Sequence, residues 1–405
     1  MVRLNPTIPS KTRGNAALTA RFAHGRGPSR EVGRLPEGPV RCYSAGRDLT
    51  ERERDRLADE LWATVVRTSA WNEPGTDPAL LLLRRKPPAA LYWEAVRRVV
   101  TLDEVSRWLR GTDAVVHSAG SGMGRIGAAA ALAWPGAHPT WEAIAYREPA
   151  AWGTDRGIDR ASVADSQARH RELFLCTDPR TRRLLVAPHT ACPILFGLRA
   201  TDPEVSMAAL REVRSEPVER WMLFRTNQGT GDHVRRPWPV PPVPFTTGTL
   251  AGRLLEPAVS LPGGHLRFEL VTAAGLRVPC VVFEPTKTLP AVVRSLSPGD
   301  RIRLWGGAAA DTTFRVEGVE LRRVSPRLDP GPNPRCPRCN GRMRSLGSVR
   351  GFRCDQCRVR APPEQRRPVP QAPKFPPGLY HPTPSARRHL APRGPEPGIS
   401  RGRMD

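Results

Sequence analysis

Cys336-Pro337-Arg338-Cys339 and Cys354-Asp355-Gln356-Cys357 decide the fold of the C-terminal part of this chain. A C-x-x-C turn places two thiolates on one side of a tight knuckle, and two facing knuckles complete the tetrahedral four-sulfur shell that Zn²⁺ prefers. Such a shell leaves no coordination position open, so the metal is structural rather than catalytic. The spacing therefore predicts a zinc ribbon over residues 333–362, with Cys336, Cys339, Cys354 and Cys357 as the ligands.

The segment around these cysteines is strongly basic. Asp355 is its single acidic residue, and it stands among eight arginines. They are Arg335, Arg338, Arg342, Arg344, Arg350, Arg353, Arg358 and Arg360. Guanidinium groups bind phosphate oxygens well, and proteins use such contacts to hold a nucleic-acid backbone. The ribbon is therefore predicted to contact nucleic acid.

The whole chain has the same bias. It has 405 residues, with 63 Lys and Arg against 39 Asp and Glu, for a formal charge of +24. This length gives room for roughly two to four domains. A genome-wide preference for Arg would explain part of the charge, but it does not explain the local clusters. Nucleic acid is the predicted partner.

No stretch of the chain reads as a membrane anchor or a secretion signal. The N-terminus has no apolar core, and no run approaches the ~20 apolar residues of a membrane helix. A soluble, cytoplasmic protein without a membrane partner is expected. The other cysteines, Cys42, Cys176, Cys192 and Cys280, stand singly in apolar surroundings. This pattern is typical of reduced core thiols rather than of disulfides.

The region before the ribbon is predicted to be β-structure. Residues 247–325 contain five strand-like runs, with a short helical piece near 289–295 between the third and the fourth. This order fits an OB-fold, although an unrelated small barrel remains the alternative. The proline-rich segment 237–246 is predicted to be a linker. Residues 363–405, rich in Pro and Arg, are predicted to be a disordered basic tail.

The N-terminal half is predicted to be α/β. Apolar residues recur at helical spacing, and short apolar runs lie between them. Predicted helices cover 44–67, 90–100 and 126–134, and predicted strands cover 80–83 and 114–117. The residues divide into a small unit of ferredoxin-like size, 27–108, and a second unit, 109–236. Residues 1–26 read as a loop followed by a strand, the remnant of the first part of an α/β domain.

A glycine-rich turn connects a predicted strand to a predicted helix at residues 118–127. Gly120, Gly122 and Gly124 would let backbone N–H groups surround an anion at the positive end of the helix. No Gly-Lys-Ser/Thr follows, so the turn is not a Walker A loop. Phosphate binding and a simple tight turn both remain open.

Arg225-Thr226-Asn227-Gln228-Gly229-Thr230-Gly231-Asp232-His233 is the most unusual run in this half. Polar residues and glycines follow directly after an apolar strand, where α/β sheets place ligands. A solvated loop at a domain border is the alternative. If the run is functional, its candidate site residues are Arg225, Asn227, Gln228 and Thr230.

A second polar turn is Trp152-Gly153-Thr154-Asp155-Arg156-Gly157-Ile158-Asp159. Its carboxylates, Asp155 and Asp159, could bind a metal or an amine. They could equally form ion pairs with neighbouring arginines. Sequence alone does not decide between these interpretations.

Taken together, these segments resemble one family, the archaeal tRNA-Ile 2-agmatinylcytidine synthetases. The matching stretches run from the first residues to the cysteines, and Arg225-Thr226-Asn227-Gln228-Gly229-Thr230 is the most specific. The others are Arg3-Leu4-Asn5-Pro6, Lys11-Thr12-Arg13-Gly14-Asn15, Tyr92-Trp93, Gly124-Arg125-Ile126-Gly127-Ala128, Ile144-Ala145-Tyr146-Arg147, Trp152-Gly153-Thr154 and Cys192-Pro193-Ile194-Leu195-Phe196-Gly197-Leu198-Arg199.

The resemblance implies a ligase that conjugates agmatine to C2 of the wobble cytidine in the CAU anticodon of tRNA-Ile, forming 2-agmatinylcytidine. ATP would activate the C2 carbonyl, and the amine of agmatine would displace the phosphate. The implied fold is a kinase-like α/β domain with an inserted ferredoxin-like domain, followed by the OB-fold and the zinc ribbon. In this assignment the ferredoxin-like domain is 27–108, and the kinase-like domain comprises 1–26 and 109–236. The implied partners are ATP with Mg²⁺, agmatine and tRNA-Ile; the oligomeric state is not implied.

The resemblance also suggests roles for single residues. Gly120, Gly122 and Gly124 would shape the nucleotide site, while Lys11, Arg13 and Asn15 would face the phosphates. Asp155 and Asp159 would hold metal or agmatine. The remaining candidates, Arg225, Asn227, Gln228 and Thr230, would position the reacting groups.

One motif of the family is expected upstream of Met1. Family members carry an acidic Gly-x-Asp-Asp-Thr-Asp type segment there, whose carboxylates would hold Mg²⁺ at the ATP phosphates. The chain as given starts after that position, so it is expected to lack this segment. Two alternatives to a complete synthetase therefore remain: one half of a split enzyme, and a non-catalytic tRNA-binding protein built on the OB-fold and zinc ribbon.

Overall fold

The structure is a computed structural model. It describes residues 31–33, 39–41, 49–68, 77–85, 87–189 and 192–393. Residues 1–26, with the candidates Lys11, Arg13 and Asn15, lie outside the described residues, as does Cys42.

The first folded unit is a small helical layer around a two-stranded antiparallel sheet. Val105 of one helix packs with Leu81 and Ala129 in the core of this unit. The helix containing Val105 begins with a capping box, in which the Glu104 N–H donates to Thr101 and the Thr101 N–H donates to Glu104. Two short strands come first in the chain, β1 (Glu31–Gly33) and β2 (Pro39–Arg41), and both belong to the sheet of the second unit. The elements of the first unit are α1 (Glu51–Thr68), β3 (Ala79–Leu82), α2 (Ala89–Arg97), α3 (Leu102–Arg110), β4 (Val115–Ser118) and α4 (Gly124–Ala133). Strand β3 pairs with β4.

The second unit is an antiparallel sheet covered by two helices. Ala143 and Ala145 are fully buried under them, because small side chains let the helices approach the central strand. The elements are β5 (Thr140–Arg147), α5 (Arg160–Arg169), β6 (Thr177–Asp178), β7 (Arg183–Leu184), β8 (Ile194–Ala200), α6 (Pro203–Glu212) and β9 (Val218–Thr226). The strand order of the sheet is β2-β1-β9-β5-β8, with every neighbour antiparallel.

The third unit is the predicted five-stranded barrel. It closes because β10 pairs with both β12 and β14, and β13 pairs in parallel with β15. Its elements are β10 (Thr247–Leu254), β11 (Val259–Ser260), β12 (Leu266–Val271), β13 (Arg277–Val282), α7 (Thr288–Arg294), β14 (Arg301–Ala308) and β15 (Phe314–Arg323). The helix lies between the third and fourth long strands, as the sequence predicts. The segment before the barrel is anchored by Trp238, which packs in the barrel core against Phe314.

The last part of the described chain holds short strands and is not disordered up to Arg393. The strands are β16 (Leu328–Asp329), β17 (Arg344–Ser345), β18 (Phe352–Arg353), β19 (Arg360–Ala361), β20 (Val369–Pro370) and β21 (Gly378–Tyr380). Strand β21 pairs with β15 of the barrel. The prediction of disorder from residue 363 is therefore wrong for 363–393. Apolar periodicity is missing there because backbone hydrogen bonds to other units hold the segment, rather than an apolar face of its own.

The single cysteines of the described chain are core thiols, as predicted. Cys176, Cys192 and Cys280 are buried and free of disulfides. Burial raises the pKa of Cys280, which keeps the thiol protonated. Among the helices that the structure describes, none has the length and apolar character needed to cross a membrane.

Candidate functional site

The polar run after β9 forms a buried loop, which we call the polar loop (residues 226–233). Its non-glycine side chains are no more than 6% exposed. Gly229 and Gly231 have φ of 71° and 70°, in the left-handed region that favours glycine. The alternative of a solvated loop is therefore wrong. Burying so many polar groups requires hydrogen-bond partners for them, and these come from other parts of the chain.

The first set of partners lies on α2. The Tyr92 hydroxyl donates to Asp232 Oδ2 at 2.7 Å and accepts from Asn227 Nδ2 at 3.0 Å. The pKa of Tyr92 is raised by burial and by the Asp232 charge, so the hydroxyl keeps its proton. Asp232 also accepts from Arg235 Nε at 3.1 Å. Tyr92 thus joins the first unit to the polar loop.

The second set of partners lies on the sheet. Gln228 Nε2 donates to Glu142 Oε2 at 2.6 Å, and Arg199 Nε donates to Glu142 Oε1 at 3.0 Å. The Thr140 hydroxyl donates to the Gln228 carbonyl at 2.8 Å. Glu142 and Arg199 are both largely buried, with side chains 7% and 15% exposed. Their ion pair therefore lies at the base of the polar loop, shielded from water.

Two amide oxygens of the polar loop lack a hydrogen-bond partner among the described residues, Asn227 Oδ1 and Gln228 Oε1. Their orientation follows from the network. The Tyr92 oxygen already donates to Asp232, so it needs the donor nitrogen of Asn227, and the Glu142 carboxylate needs that of Gln228. The polar loop therefore contains two hydrogen-bond acceptors that no described residue satisfies.

Arg225, the first residue of the predicted site, points elsewhere. Its guanidinium lies 5.5 Å from the Trp134 ring centroid and donates to the Gly136 carbonyl. Thr230 belongs to the polar loop, since its hydroxyl donates to the Asn227 carbonyl at 2.8 Å. Of the four predicted residues, three lie in one network and Arg225 secures the connection between α4 and β5.

Three glycines of the glycine-rich turn, Gly120, Gly122 and Gly124, each have a structural reason. Gly120 and Gly122 have φ of 64° and 76°. A Cβ on Gly124 would lie 1.8 Å from the Asp77 carbonyl oxygen, so α4 can approach β3 only with glycine there. The N–H and hydroxyl of Ser121 donate to the Asp77 carboxylate at 2.6 and 2.9 Å. The turn therefore binds an anion in this structure, and that anion is a side chain of the chain itself.

Asp155 and Asp159 lie on the second polar turn and do not form a pair. Asp159 caps α5 by accepting from the Ala161 N–H at 2.9 Å, and it pairs with Arg214. The Arg214 hydrogen bond lowers the pKa of Asp159. The Asp155 carbonyl accepts from Arg147 at 3.0 Å, while its side chain is exposed. These roles match the ion-pair interpretation for Asp159.

The predicted site residues thus fall in three separate places. Thr140, at the start of β5, pairs with Thr226, and Arg147, at its end, pairs with Val218. The polar loop and the second polar turn therefore lie at opposite ends of β5, roughly 20 Å apart at ~3.3 Å per residue. The glycine-rich turn lies at the N-terminal end of α4, about 15 Å along the helix from Trp134.

The four predicted metal ligands do converge. Their Sγ atoms lie within 4.8 Å of one another, and Cys339 and Cys354 are 3.5 Å apart. A tetrahedral Zn²⁺ site with bonds of ~2.3 Å has sulfur–sulfur edges of about 3.8 Å, so the donor set fits zinc. The Cys357 N–H donates to Cys354 Sγ at 3.4 Å, and this bond is the largest of several that lower the pKa of Cys354 to about 7. Bound zinc would hold the two knuckles together.

Sequence reasoning missed Glu142 and the roles of Tyr92, Asp232 and Arg199. Tyr92, Asp232 and Arg199 stand in stretches that the sequence marks as unusual, but nothing in those stretches shows which distant residues they contact. One signal for Glu142 was present, because its carboxylate lies in β5 next to the apolar residues Trp141 and Ala143–Ala145. A buried acid in a central strand requires a partner, and this requirement points to a site.

Comparisons with known proteins agree on one group. Three models of the TiaS family match the chain: the TiaS TCKD domain at residues 1–121, the TiaS FLD domain at 122–233 and the TiaS C-terminal zinc ribbon domain at 333–371. The chain is 32% identical to the isoleucine-tRNA 2-agmatinylcytidine synthetase TiaS of Methanosarcina mazei, covering 96% of this chain and 87% of that protein. It is also 32% identical to that of Archaeoglobus fulgidus, with the same coverage.

Solved structures give the same result. Apo TiaS, an isoleucine-tRNA agmatidine synthetase, superposes with a TM-score of 0.72 at 30% identity, covering 86% of this chain and 84% of that one. The complex of TiaS with its isoleucine tRNA and ATP gives a TM-score of 0.70 at 29% identity, with coverage of 85% and 81%. The complex of TiaS with the same tRNA, AMPCPP and agmatine gives 0.69 at 27% identity, with coverage of 85% and 83%.

Proposed function

The chain belongs to the TiaS family, and on that premise we propose that it is an ATP-dependent ligase that modifies tRNA-Ile with the anticodon CAU. It conjugates agmatine to C2 of the wobble cytidine and forms 2-agmatinylcytidine. The observation that carries this proposal is identity of 32% over 96% of the chain to named synthetases. Solved relatives hold an isoleucine tRNA, ATP or its analogue, and agmatine.

The reaction has two steps, phosphorylation of the C2 oxygen and substitution at C2. ATP transfers a phosphoryl group to the C2 oxygen, which turns a poor leaving group into phosphate. The primary amine of agmatine then forms the new C–N bond as the C–O bond to phosphate breaks, and the amine gives up a proton. Positioning matters for both steps, because two small reactants must meet one base of a large RNA.

We assign the polar loop to positioning. Asn227, Gln228 and Thr230 are buried and bonded within the protein, so they hold the end of β9 in place beside the Glu142–Arg199 pair. The unpartnered oxygens of Asn227 and Gln228 are the acceptors that the loop can offer to a donor-rich substrate group. Such groups occur on agmatine and on the cytosine amine.

Other parts of the assignment rest on family likeness. We propose that Gly120, Gly122 and Gly124 border the nucleotide site and that binding ATP displaces Asp77 from the turn. Asp155 and Asp159 remain candidates for contacting agmatine only if it reaches the far end of β5. Among the described residues, the four cysteines are the one converging group of three or more candidate metal ligands, and thiolates suit Zn²⁺ rather than Mg²⁺.

The domain division is also part of the proposal. A kinase-like and a ferredoxin-like domain would divide the α/β part, and the family models meet at residues 121 and 122. On that basis the boundary falls in the glycine-rich turn rather than at 108, and strands β5, β8 and β9 of the antiparallel sheet belong to the second domain, while β1 and β2 come from the first. We propose that the barrel is an OB-fold that holds tRNA together with the zinc ribbon.

Label transfer tests the function. The chain is incubated with ATP, radiolabelled agmatine and a transcript of tRNA-Ile with the anticodon CAU, and the RNA is separated and counted. Label is expected in the RNA only when ATP is present, and a transcript with uridine at the wobble position should stay unlabelled. Tight tRNA binding without label transfer would instead favour the non-catalytic tRNA-binding protein.

A further inference from the structure

The C-terminal segment crosses from the barrel to the α/β sheet. Strand β21 pairs Tyr380 with Val319 of β15. Further on, the Ser385 N–H donates to Asp178 Oδ2 at 3.3 Å, on the α/β side. The residues that follow, 387–393, lie over the polar loop, and we call them the strap. The chain is therefore anchored to both units before it reaches the polar loop.

Backbone hydrogen bonds join the strap to the polar loop. The Gly229 N–H donates to the His389 carbonyl at 2.7 Å, and the Gly231 N–H donates to the Leu390 carbonyl at 2.9 Å. In return, the Arg393 N–H donates to the Gly229 carbonyl at 3.2 Å. The loop follows the end of a strand and is buried, so these amides need a partner, and the strap supplies it.

Close packing makes this contact specific. A Cβ on Gly231 would lie 2.8 Å from Pro392 Cγ, and a Cβ on Gly229 would lie 2.8 Å from Arg393 Cγ. Both glycines already need a positive φ. Larger residues would therefore push the strap away. Glycine is therefore required at these two positions for two reasons: the positive φ of the loop and the space that the strap occupies.

A shared carboxylate forms a second connection between the strap and the polar loop. His233 Nε2 lies 2.9 Å from Glu317 Oε2, and Arg388 Nη1 lies 2.7 Å from Glu317 Oε1. Burial would raise the pKa of Glu317, but the bond with His233 and the nearby charges lower it, so the carboxylate stays ionised. One buried carboxylate of the barrel thus binds the polar loop and the strap together.

We propose that the strap is a positioning element of the active site, which holds the polar loop in the conformation that the ligase reaction needs. This rests on the function proposed above. Tyr92 and Glu142 bind the side chains of Asn227 and Gln228, and the strap binds the backbone of Gly229 and Gly231. Without the strap, the amides of Gly229 and Gly231 face water and the loop loses this support. The strap acts through the loop and touches no substrate.

A pair of glycine substitutions tests the proposal. Gly231→Ala forces a Cβ against Pro392, whereas Gly275→Ala places one at a similar φ of 79° in the β12–β13 turn with nothing within 4 Å. Both variants carry the backbone strain, and only the first displaces the strap. Gly231→Ala should lower kcat for label transfer at least tenfold and change the KM for tRNA less than twofold. Gly275→Ala should keep the kcat of the intact chain, because it leaves the strap in place, and only kcat is compared since Gly275 lies in the barrel proposed to hold tRNA. Equal kcat in the two variants would overturn the proposal.

A truncation supplies a second test. A chain ending at Ala386 lacks the strap, and a synthetic peptide of residues 383–393 is then added back. Activity should fall at least tenfold and return with peptide concentration until it saturates. Full activity in the truncated chain overturns the proposal, and activity above that of the intact chain would make the strap an inhibitory lid instead.

Hydrogen exchange tests the contact between the strap and the polar loop independently of catalytic activity. In the intact chain the Gly229 and Gly231 amides should exchange at least a hundredfold more slowly than in the truncated chain. This result does not depend on catalysis, so it holds even if the intact chain transfers no label and the proposed function fails. Equal exchange in both chains would show that the strap does not hold the loop.

Discussion

The zinc ribbon and the polar loop are both rigid and polar, but they obtain their order from opposite sources. Every ligand of the ribbon lies between Cys336 and Cys357, and the metal that fits them is not part of the chain. The polar loop takes its partners from far away: Asn227 and Tyr92 are 135 positions apart, and Gln228 and Glu142 are 86 apart. Local spacing encodes the first region, and the assembled fold encodes the second.

This difference has an energetic side. Structural zinc contributes binding free energy directly to folding, about 10 kcal/mol or more in isolated fingers. The polar loop depends on many hydrogen bonds, each worth about 1 kcal/mol net, yet each costly when one partner is removed. The ribbon should therefore unfold completely when it loses its metal, whereas the polar loop should lose stability by a separate amount for each hydrogen bond removed.

Loss of zinc is the largest expected effect. Cys354→Ser should empty the metal site, unfold residues 333–362 and weaken tRNA binding, with the barrel and the α/β units still folded. Elemental analysis and a tRNA titration measure this. Cys280→Ser is the control, since Cys280 lies in the barrel core and should not change zinc content. Unchanged tRNA affinity in Cys354→Ser would remove the ribbon from the RNA-binding surface.

Loss of the Glu142 charge is next. Glu142→Gln leaves the Arg199 guanidinium partly buried without a counter-charge, which should cost about 3 kcal/mol of unfolding free energy. Chemical denaturation followed by tryptophan fluorescence gives this value. The control is Glu60→Gln in the exposed Arg56–Glu60 pair, where ~0.5 kcal/mol or less is expected. Similar costs for both would mean that the pair at the base of the loop is not shielded from water.

Removal of one hydroxyl should have a smaller effect. Tyr92→Phe deprives Asp232 of a donor and Asn227 of an acceptor, for a cost of about 1 to 3 kcal/mol. A double-mutant cycle with Asp232→Asn isolates the bond, and a coupling of ~1 kcal/mol is expected. Additive effects would contradict the link between α2 and the polar loop.

Acidification should give the smallest change. Burial, helped by the charge of Arg387, lowers the pKa of His381 to about 3. Unfolded His381 takes up a proton near pH 6.5 and the folded residue does not, so stability falls as pH drops below 6.5. The loss between pH 7 and pH 5.5 should be roughly 1 kcal/mol. His381→Phe should reduce this pH dependence of thermal unfolding, and parallel curves would show that His381 does not contribute.

Local patterns in the sequence predict part of the fold and of the site. The four cysteines, the five-strand barrel with its helix, and the polar run after β9 are all visible, because spacing and alternation act over short distances. The sequence does not show that β5 separates Asp155 and Asp159 from the polar loop by its whole length. Only the register of β5 with β9 reveals that separation.

The segment 363–393 shows most clearly that local sequence patterns do not reveal long-range contacts. Its composition is typical of disorder, and on its own it has no face to bury. His389, Leu390 and Arg393 become ordered because the polar loop offers amides and a carbonyl to them. A segment whose structure comes from a distant partner leaves no periodic signal in its own sequence.

The carboxylate of Glu317, shared by His233 and Arg388, has a consequence for biosynthesis. The ribosome completes the α/β units and the barrel before it adds the residues of the strap, and domains fold as they emerge. The nascent protein can therefore have a folded sheet and a closed barrel while the polar loop still lacks its contacts with the strap. We expect a released chain that ends before residue 387 to bind tRNA yet transfer agmatine at least tenfold more slowly, so that full activity begins only when synthesis has passed the strap.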